Sequence, residues 1–481
     1  MASSLGLDCT TFHNIIGGKL VSTKQTRHSV NPSTLEPNPE VPVSSREDVD
    51  RAVAVAQEAV GTWAGMRLAD RQQAVRRLAD ALGELTDSFA TLLVKEQGKP
   101  LQMARFEIHE SVQILKGIAD LPFSEEVTVD TDSYRAVKRY VPIGVAVGIV
   151  PWNFPIYLAC FKIASALVTG NVLILKPSPF TPYSGLKIVE LGQRVFPPGV
   201  LQALCGDDDL GPWLTSHPGI GKVSFTGSVA TGKRVMESCS KTLKRVTLEL
   251  GGNDPAIVCD DVDILAVAPK IAKLALMNSG QICIAIKRIY VHSSIYDELV
   301  AEIAAVAQNL PVGDGFQEGV FLGPVQNSLQ YDRVRNLLAD IQNKSLKIAT
   351  NGAAQSATPN KGYFIMPTIV DNPPDDSRIV VEEPFGPVFP VLKWTYEDDV
   401  ICRANHSTMG LGASVWSKDL ERANRIAKRL EAGNVWINTH SELYASSPFS
   451  GFKESGLGTE LGVEGLTSYC YVQNVHVNKD V

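Results

Sequence analysis

GVAVGIV (144–150), NVLILKP (171–177), GKVSFTG (221–227) and RVTLELGG (245–252) are short apolar runs rich in Val, Ile and Leu. Stretches that read as helices, such as 154–169 and 231–240, lie between them. Strands apolar on both sides and separated by helices belong to a parallel sheet covered on both faces. The sequence therefore predicts an α/β fold. A second series follows: a helix at 263–278, a strand RIYVH (288–292), a helix at 295–309, then strands near 363–370, 388–394, 412–416 and 434–438. It reads as a second α/β unit.

Upstream, the first third is mostly helical. SSREDVDRAVAVAQEAV (44–60) starts with Ser45 three residues before Asp48, a capping-box pattern. Residues 70–97 carry Leu78, Leu82, Leu85, Phe89 and Leu92 at helical spacing. VTVDTDSYRAVKRYV (127–141) alternates around a DTD turn and predicts a polar hairpin. The tail SYCYVQNVHV (468–477) alternates again, as an edge strand does.

The chain's 481 residues predict about three domains, or two large ones. With 44% hydrophobic and 20% charged residues, there is enough apolar surface to exclude disorder over most of the length. The net charge of -7 argues against a general nucleic-acid binder, which is usually basic. Eight cysteines are too few for a disulfide scaffold, so free thiols in a reducing, cytoplasmic setting are expected. No signal peptide or targeting tripeptide is visible. The longest apolar run, residues 141–151, is too short to span a bilayer and is broken by Gly and Pro, so no membrane association is expected.

GSVATGKR (227–234) follows a strand, precedes a helix and fits G-x-x-x-x-G-K. Arg234 stands where a nucleotide triphosphatase needs Ser or Thr for magnesium, which argues against that class. What remains is a strand-to-helix turn whose free N–H groups and dipole favour an anion, or merely a turn with two packing glycines. The usual dinucleotide fingerprint, G-x-G-x-x-G, is missing. No CxxC, HExxH or G-x-S-x-G occurs, and no metal site is expected.

Cys283, in MNSGQICIAIKR, stands between isoleucines, where a cysteine is more often a small buried hydrophobe. Gly280 and Gln281 break a helix just before it, which would place the thiol on a turn. Glu249 ends a strand, where α/β proteins put their ligands, yet it could equally be a solvated glutamate. Asn153 in PWNFP is stiffened by Pro151 and Pro155, and is either a fixed donor or a turn residue. Lys176 closes another strand, as a surface charge or a cofactor ligand.

Taken together, PWNFP, LKPS, FTGS, LELGG, GQIC and EEPFGPV resemble the aldehyde dehydrogenase superfamily, from about residue 14 to the end. The resemblance implies a Rossmann-variant cofactor domain without the glycine fingerprint (1–122 and 143–250). It further implies a catalytic domain (251–465) and a small β oligomerisation element (123–142 and 466–481). It implies Cys283 as nucleophile, Glu249 as general base and Asn153 as oxyanion donor. Lys176 would meet the adenosine ribose, with Ser178 and Pro179 beside it. Gly227, Ser228 and Trp152 would lie at the pyrophosphate, with Ile149, Pro151, Phe225, Thr231, Leu250 and Gly251 around the cofactor. Glu383 would bind the nicotinamide ribose and Phe385 would lie beside the nicotinamide. Phe154, Phe161, Ile282 and Ile284 would line the substrate tunnel.

The implied reaction is oxidation of an aldehyde to the acid with NAD or NADP, NAD being favoured. Thiolate addition gives a thiohemiacetal that can release hydride, leaving a thioester for water to hydrolyse. A CoA-acylating enzyme and a non-catalytic protein on the same scaffold are the alternatives; Glu249 and the intact Cys–Glu–Asn set argue against them. Semialdehyde-type relatives tend to carry Arg eight residues after the motif asparagine, where this chain has Phe161, so an apolar aliphatic or aromatic aldehyde is expected. Ser450 makes PFSG of the usual PFGG, and Pro179 replaces the Glu of many NAD-specific members, with no arginine next to Lys176. The alternating segments imply a homodimer or homotetramer.

Overall fold

The computed structural model describes residues 6–350 and 361–480. The expected ranges 1–122, 251–465 and 466–481 therefore reach outside the described residues at 1–5, 351–360 and 481.

The four opening runs are neighbouring parallel strands of an eight-stranded sheet. Its central order is Leu201–Ala203, Val172–Lys176, Val145–Ile149, Lys222–Thr226, Arg245–Glu249. Every residue of Val145–Ile149, Val172–Lys176 and Lys222–Thr226 is buried, which is why these strands are apolar throughout rather than alternating. Antiparallel strands flank them: Asn14–Ile16 and Lys19–Val21 at one edge, Gly456–Leu457 at the other. From Val145–Ile149 the chain builds outward first to one side and then to the other. The carboxyl ends of Val145–Ile149 and Lys222–Thr226 thus straddle the switch in strand order, where open α/β sheets leave a crevice.

The second sheet has six parallel strands, ordered Thr368–Asp371, Val388–Trp394, Ile286–His292, Asp254–Val258, Gly412–Trp416, Asn434–Ile437. Phe449, Leu461 and Leu466 leave this sheet and pack in the core of the first, so the C-terminal chain bridges the two. The third sheet stands apart. Cys470–Asn478 pairs along its whole length with Tyr134–Pro142, which pairs in turn with Glu126–Asp130.

Several elements differ from the sequence reading. The helix over 70–97 is two, Leu68–Glu84 and Thr86–Gln97, broken at Leu85 (φ -106°, ψ 20°). Thr86 competes there for backbone, its hydroxyl donating to the Gly83 carbonyl at 2.7 Å. The helix over 263–278 stops at Leu276, and the strand near 363–370 is confined to Thr368–Asp371. The capping box is present: Ser45 and Asp48 exchange side-chain and backbone hydrogen bonds at the start of Arg46–Ala64. All eight cysteines are free. Among the described residues no helix is long and apolar enough to cross a membrane.

Candidate active site

Helix Ile264–Leu276 ends in a tight turn, Met277–Gly280. Asn278, Ser279 and Gly280 lie in the left-handed region (φ 51°, 55° and 73°), which residues with a Cβ adopt only when held there. The hold is visible. Ser279 Oγ donates to the Gly323 carbonyl at 2.8 Å, and Gln281 Nε2 to the Asn278 carbonyl at 2.9 Å. The Gln326 amide donates to Gln281 Oε1 at 2.9 Å. Gly280 is obligatory, because a Cβ there would stand 2.2 Å from the Gly386 carbonyl oxygen. GQIC is thus a pinned turn that delivers Cys283 to a cavity.

Asn153 meets this turn from the first sheet. Its Nδ2 donates to the Gln281 carbonyl at 2.9 Å. Its own carbonyl accepts from Lys99 Nζ at 2.8 Å and from Asn278 Nδ2 at 3.3 Å. Lys99 is ion-paired with Glu107, and both side chains are fully buried. Glu107 also accepts the Ile156 and Tyr157 amides at the start of helix Pro155–Val168, at 3.0 and 3.2 Å. Sequence reasoning missed this pair. Its one trace is a lysine directly after Gly98, the left-handed C-cap of Thr86–Gln97.

Glu249 lies at the end of its strand, 3% exposed, and neither carboxyl oxygen has a hydrogen-bond partner among the described residues. Most buried polar atoms find a hydrogen-bond partner, so each one that does not calls for an explanation. Burial, and then the nearby Glu460 charge, push its carboxyl well above the usual range, while Lys162 opposes them. Glu460 is held by Lys162 Nζ at 2.5 Å and by Ser224 Oγ at 2.7 Å. Lys162 also donates to Ser224 and Thr226 hydroxyls at 3.0 and 2.9 Å. This second buried pair was also missed, although one lysine inside the apolar helix PIYLACFKIASALV is its signal. The Cys283 thiol is pushed up to about 12, mostly by burial. Its backbone N–H donates to no group among the described residues and is free to face an oxyanion.

The expected cofactor residues gather along the carboxyl edge of the first sheet. Ile149 ends one strand, with Pro151 and Trp152 after it, and Lys176 ends the next, with Ser178 and Pro179 after it. Phe225 lies in the third, with Gly227, Ser228 and Thr231 after it, and Leu250 and Gly251 follow the fourth. Ser228 caps helix Val229–Ser240, accepting from the Thr231 amide at 3.3 Å. A Cβ on Gly227 would strike the Phe225 ring at 2.5 Å, and one on Gly232 would strike Leu250 at 2.5 Å. Glu383 and Phe385 reach over from the second unit, with the Phe385 ring edge-on to Trp152 at 5.4 Å. Phe385 is left-handed (φ 48°), and Arg333 Nη2 donates to the Glu383 carbonyl at 3.0 Å. Buried Lys176 has no ion-pair or side-chain hydrogen-bond partner among the described residues. Burial lowers its pKa; Cys205 and Asp208 oppose that lowering and Arg27 adds to it. Arg27, remote in sequence, acts on Lys176 by charge alone and is itself paired with Asp207 at 2.5 Å.

An unpaired buried lysine and a helix N-terminus are what a dinucleotide ribose and phosphate require, and the residues present fit such a group. Beyond Cys283 the cavity holds about 380 Å³. Phe154, Phe161, Ile282 and Ile284 line it together with Asn153, Glu249 and Cys283. Tyr157 packs edge-on to both phenylalanines, at 6.5 and 4.8 Å. The loop 440–450 contributes Ser441, Glu442, Leu443, Tyr444 and Phe449, and no arginine or lysine among the described residues lines the cavity. Ser450 does not line it; its carbonyl accepts from Asn434 Nδ2 at 3.1 Å.

The sequence model of the aldehyde dehydrogenase family matches residues 20–475. Aldehyde dehydrogenase LUC3 of a Fusarium species is 40% identical over 98% of this chain and 100% of its own length. The NAD+ complex of a Bacillus cereus aldehyde dehydrogenase superposes with TM-score 0.94 at 35% identity, covering 98% of this chain and 97% of that one. An NADP-dependent enzyme of E. coli superposes with TM-score 0.93 at 32% identity, covering 98% of each. The chain belongs to the aldehyde dehydrogenase family. It is an NAD(P)-dependent enzyme that oxidises aldehydes.

Proposed function

We propose that this enzyme oxidises apolar aliphatic or aromatic aldehydes to carboxylic acids by hydrolysis of a cysteine thioester. The observation that carries the reading is Glu249: a buried carboxyl with two unpartnered oxygens lining the same cavity as Cys283. Cys283 adds to the aldehyde carbon, and the Asn153 amide and the Cys283 N–H take the oxyanion; each such donor contributes roughly 3 kcal/mol. A nicotinamide cofactor, which Lys176, Glu383 and Phe385 would hold, would supply the hydride acceptor. Glu249 then takes a proton from water as the water attacks the thioester. Because burial raises its pKa, the base form grows in as pH rises, so turnover should climb toward alkaline pH. A carboxylate-bearing aldehyde finds no cation in the lining and meets Glu442 there instead. NADH formation with hexanal or benzaldehyde should exceed that with succinic semialdehyde at least tenfold in kcat/KM, and Cys283→Ala should abolish it. Preference for the semialdehyde would contradict the substrate class, and an active Cys283→Ala would contradict the nucleophile.

The ribose subsite supports relaxed cofactor choice. Pro179 can neither accept from ribose hydroxyls nor repel a 2′-phosphate, as an acid would. Lys176 can serve either, and Arg27 adds positive charge nearby, moderated by Asp207. NAD is used and NADP is not strongly excluded. Pro179→Glu should worsen NADP use relative to NAD by about 1–2 kcal/mol, the scale of one like-charge contact near a surface. A wild type that prefers NAD a thousandfold would show that another group excludes the phosphate.

The three-stranded sheet supports an oligomerisation role within a cytoplasmic homodimer or homotetramer. Residues 1–122 and 143–250 would form the cofactor domain and 251–465 the catalytic domain, with 449–465 returning to pack on the first. The edge strand Glu126–Asp130 is exposed along its whole length, and Cys470–Asn478 nearly so. Such edges are blunted by pairing. Deleting 468–481 should give monomer or aggregate in light scattering; an unchanged native mass would count against this role.

A further inference from the structure

Lys287 stands four residues beyond Cys283, on the strand Ile286–His292 beneath the cysteine turn. Its side chain is 4% exposed. The ammonium donates to the Cys283 carbonyl at 2.5 Å and pairs with Glu383 Oε1 at 3.1 Å. The same Glu383 oxygen accepts the Gly252 amide at 3.2 Å. One buried cation therefore touches both the residue that carries the nucleophile and the carboxylate assigned to the nicotinamide ribose.

The thiol has few other sources of positive charge. The charges that weigh most on it are Lys287, Glu383, Asp254 and Glu249, so Lys287 is the one cation in that set. Asp254 faces His440, whose Nε2 lies 3.6 Å from Oδ2 and 2.8 Å from the Ile284 carbonyl. Glu249 adds no cation, and its own cationic neighbour Lys162 is committed to Glu460. Glu383 offsets Lys287 at short range. A carboxylate that turns to accept ribose hydroxyls shares less of that offset.

We propose that Lys287 is a positioning residue linking the two ends of the site: it holds Glu383 ready for the ribose and supplies the positive charge that ionises Cys283, more fully once the ribose engages Glu383. This rests on the reading of Cys283 as nucleophile and Glu383 as ribose ligand. No bond forms at Lys287. The thiol proton leaves to water, and the ammonium keeps its own protons.

The test is the pH profile of Cys283 alkylation by iodoacetamide, read by mass spectrometry of the Cys283 peptide with and without NAD. At a pH below the thiol pKa, raising that pKa by about one cuts the thiolate fraction about tenfold. Lys287→Met, which keeps the length and loses the charge, should move the profile to higher pH and slow alkylation at pH 8 about tenfold. It should also blunt the acceleration by NAD. Lys287→Arg should stay within about threefold of wild type. Glu383→Gln, which leaves Lys287 in place, should alkylate several-fold faster than wild type without NAD. It serves as the second variant if Lys287→Met does not fold. A wild-type profile in Lys287→Met, or an unchanged rate in Glu383→Gln, would overturn the proposal. Failure of the underlying reading shows separately: wild type alkylated at Cys283 would still form NADH.

Discussion

The hydrogen bond from Asn153 Nδ2 to the Gln281 carbonyl joins the two halves of the active site. Asn153 belongs to the loop after a strand of the first sheet, and Gln281 to the turn that carries Cys283. The bond holds because each partner is held. Below Asn153, the buried Lys99–Glu107 pair anchors the loop and the start of the following helix. Around Gln281, three left-handed residues and the Gln326 contact fix the turn. A buried pair of this kind contributes little net stability, but losing one partner strands a charge in a dry site. It therefore makes one arrangement of the loop far better than its competitors.

The chemistry is set up by removing water. Cys283 and Glu249 are both pushed toward their neutral forms, chiefly by burial. Burial thus disfavours charge on both the Cys283 thiol and the Glu249 carboxyl. Charge is supplied by particular groups: Lys162 and Glu460 behind the base, Lys287 and Glu383 beside the thiol. The aromatic walls from Phe154 to Phe161 keep the other end apolar.

Much of this was legible in the sequence where a local rule applied. Both parallel sheets appear as apolar strands separated by helices, because burial on both faces leaves no room for alternation. Gly280 and Gln281 announce the turn before Cys283, since only glycine tolerates the approach to Gly386. The charged pairs were not legible, because their partners are far apart along the chain. Glu460 meets Lys162 across nearly three hundred residues, and the charge of Arg27 bears on Lys176 although the two are far apart in the sequence. The break at Leu85 was hidden by an apolar spacing that continues across it. The apolar periodicity records which face is buried, and a short kink leaves that record intact.

The central claim is that Cys283 carries the acyl group and Glu249 releases it. Glu249→Gln mixed with hexanal and NAD, then quenched and digested, tests it directly. The account predicts a burst of no more than one NADH per subunit, slow turnover afterwards, and the hexanoyl mass on the Cys283 peptide. NADH formed at a sustained wild-type rate, or a burst with no acyl group on that peptide, would contradict it.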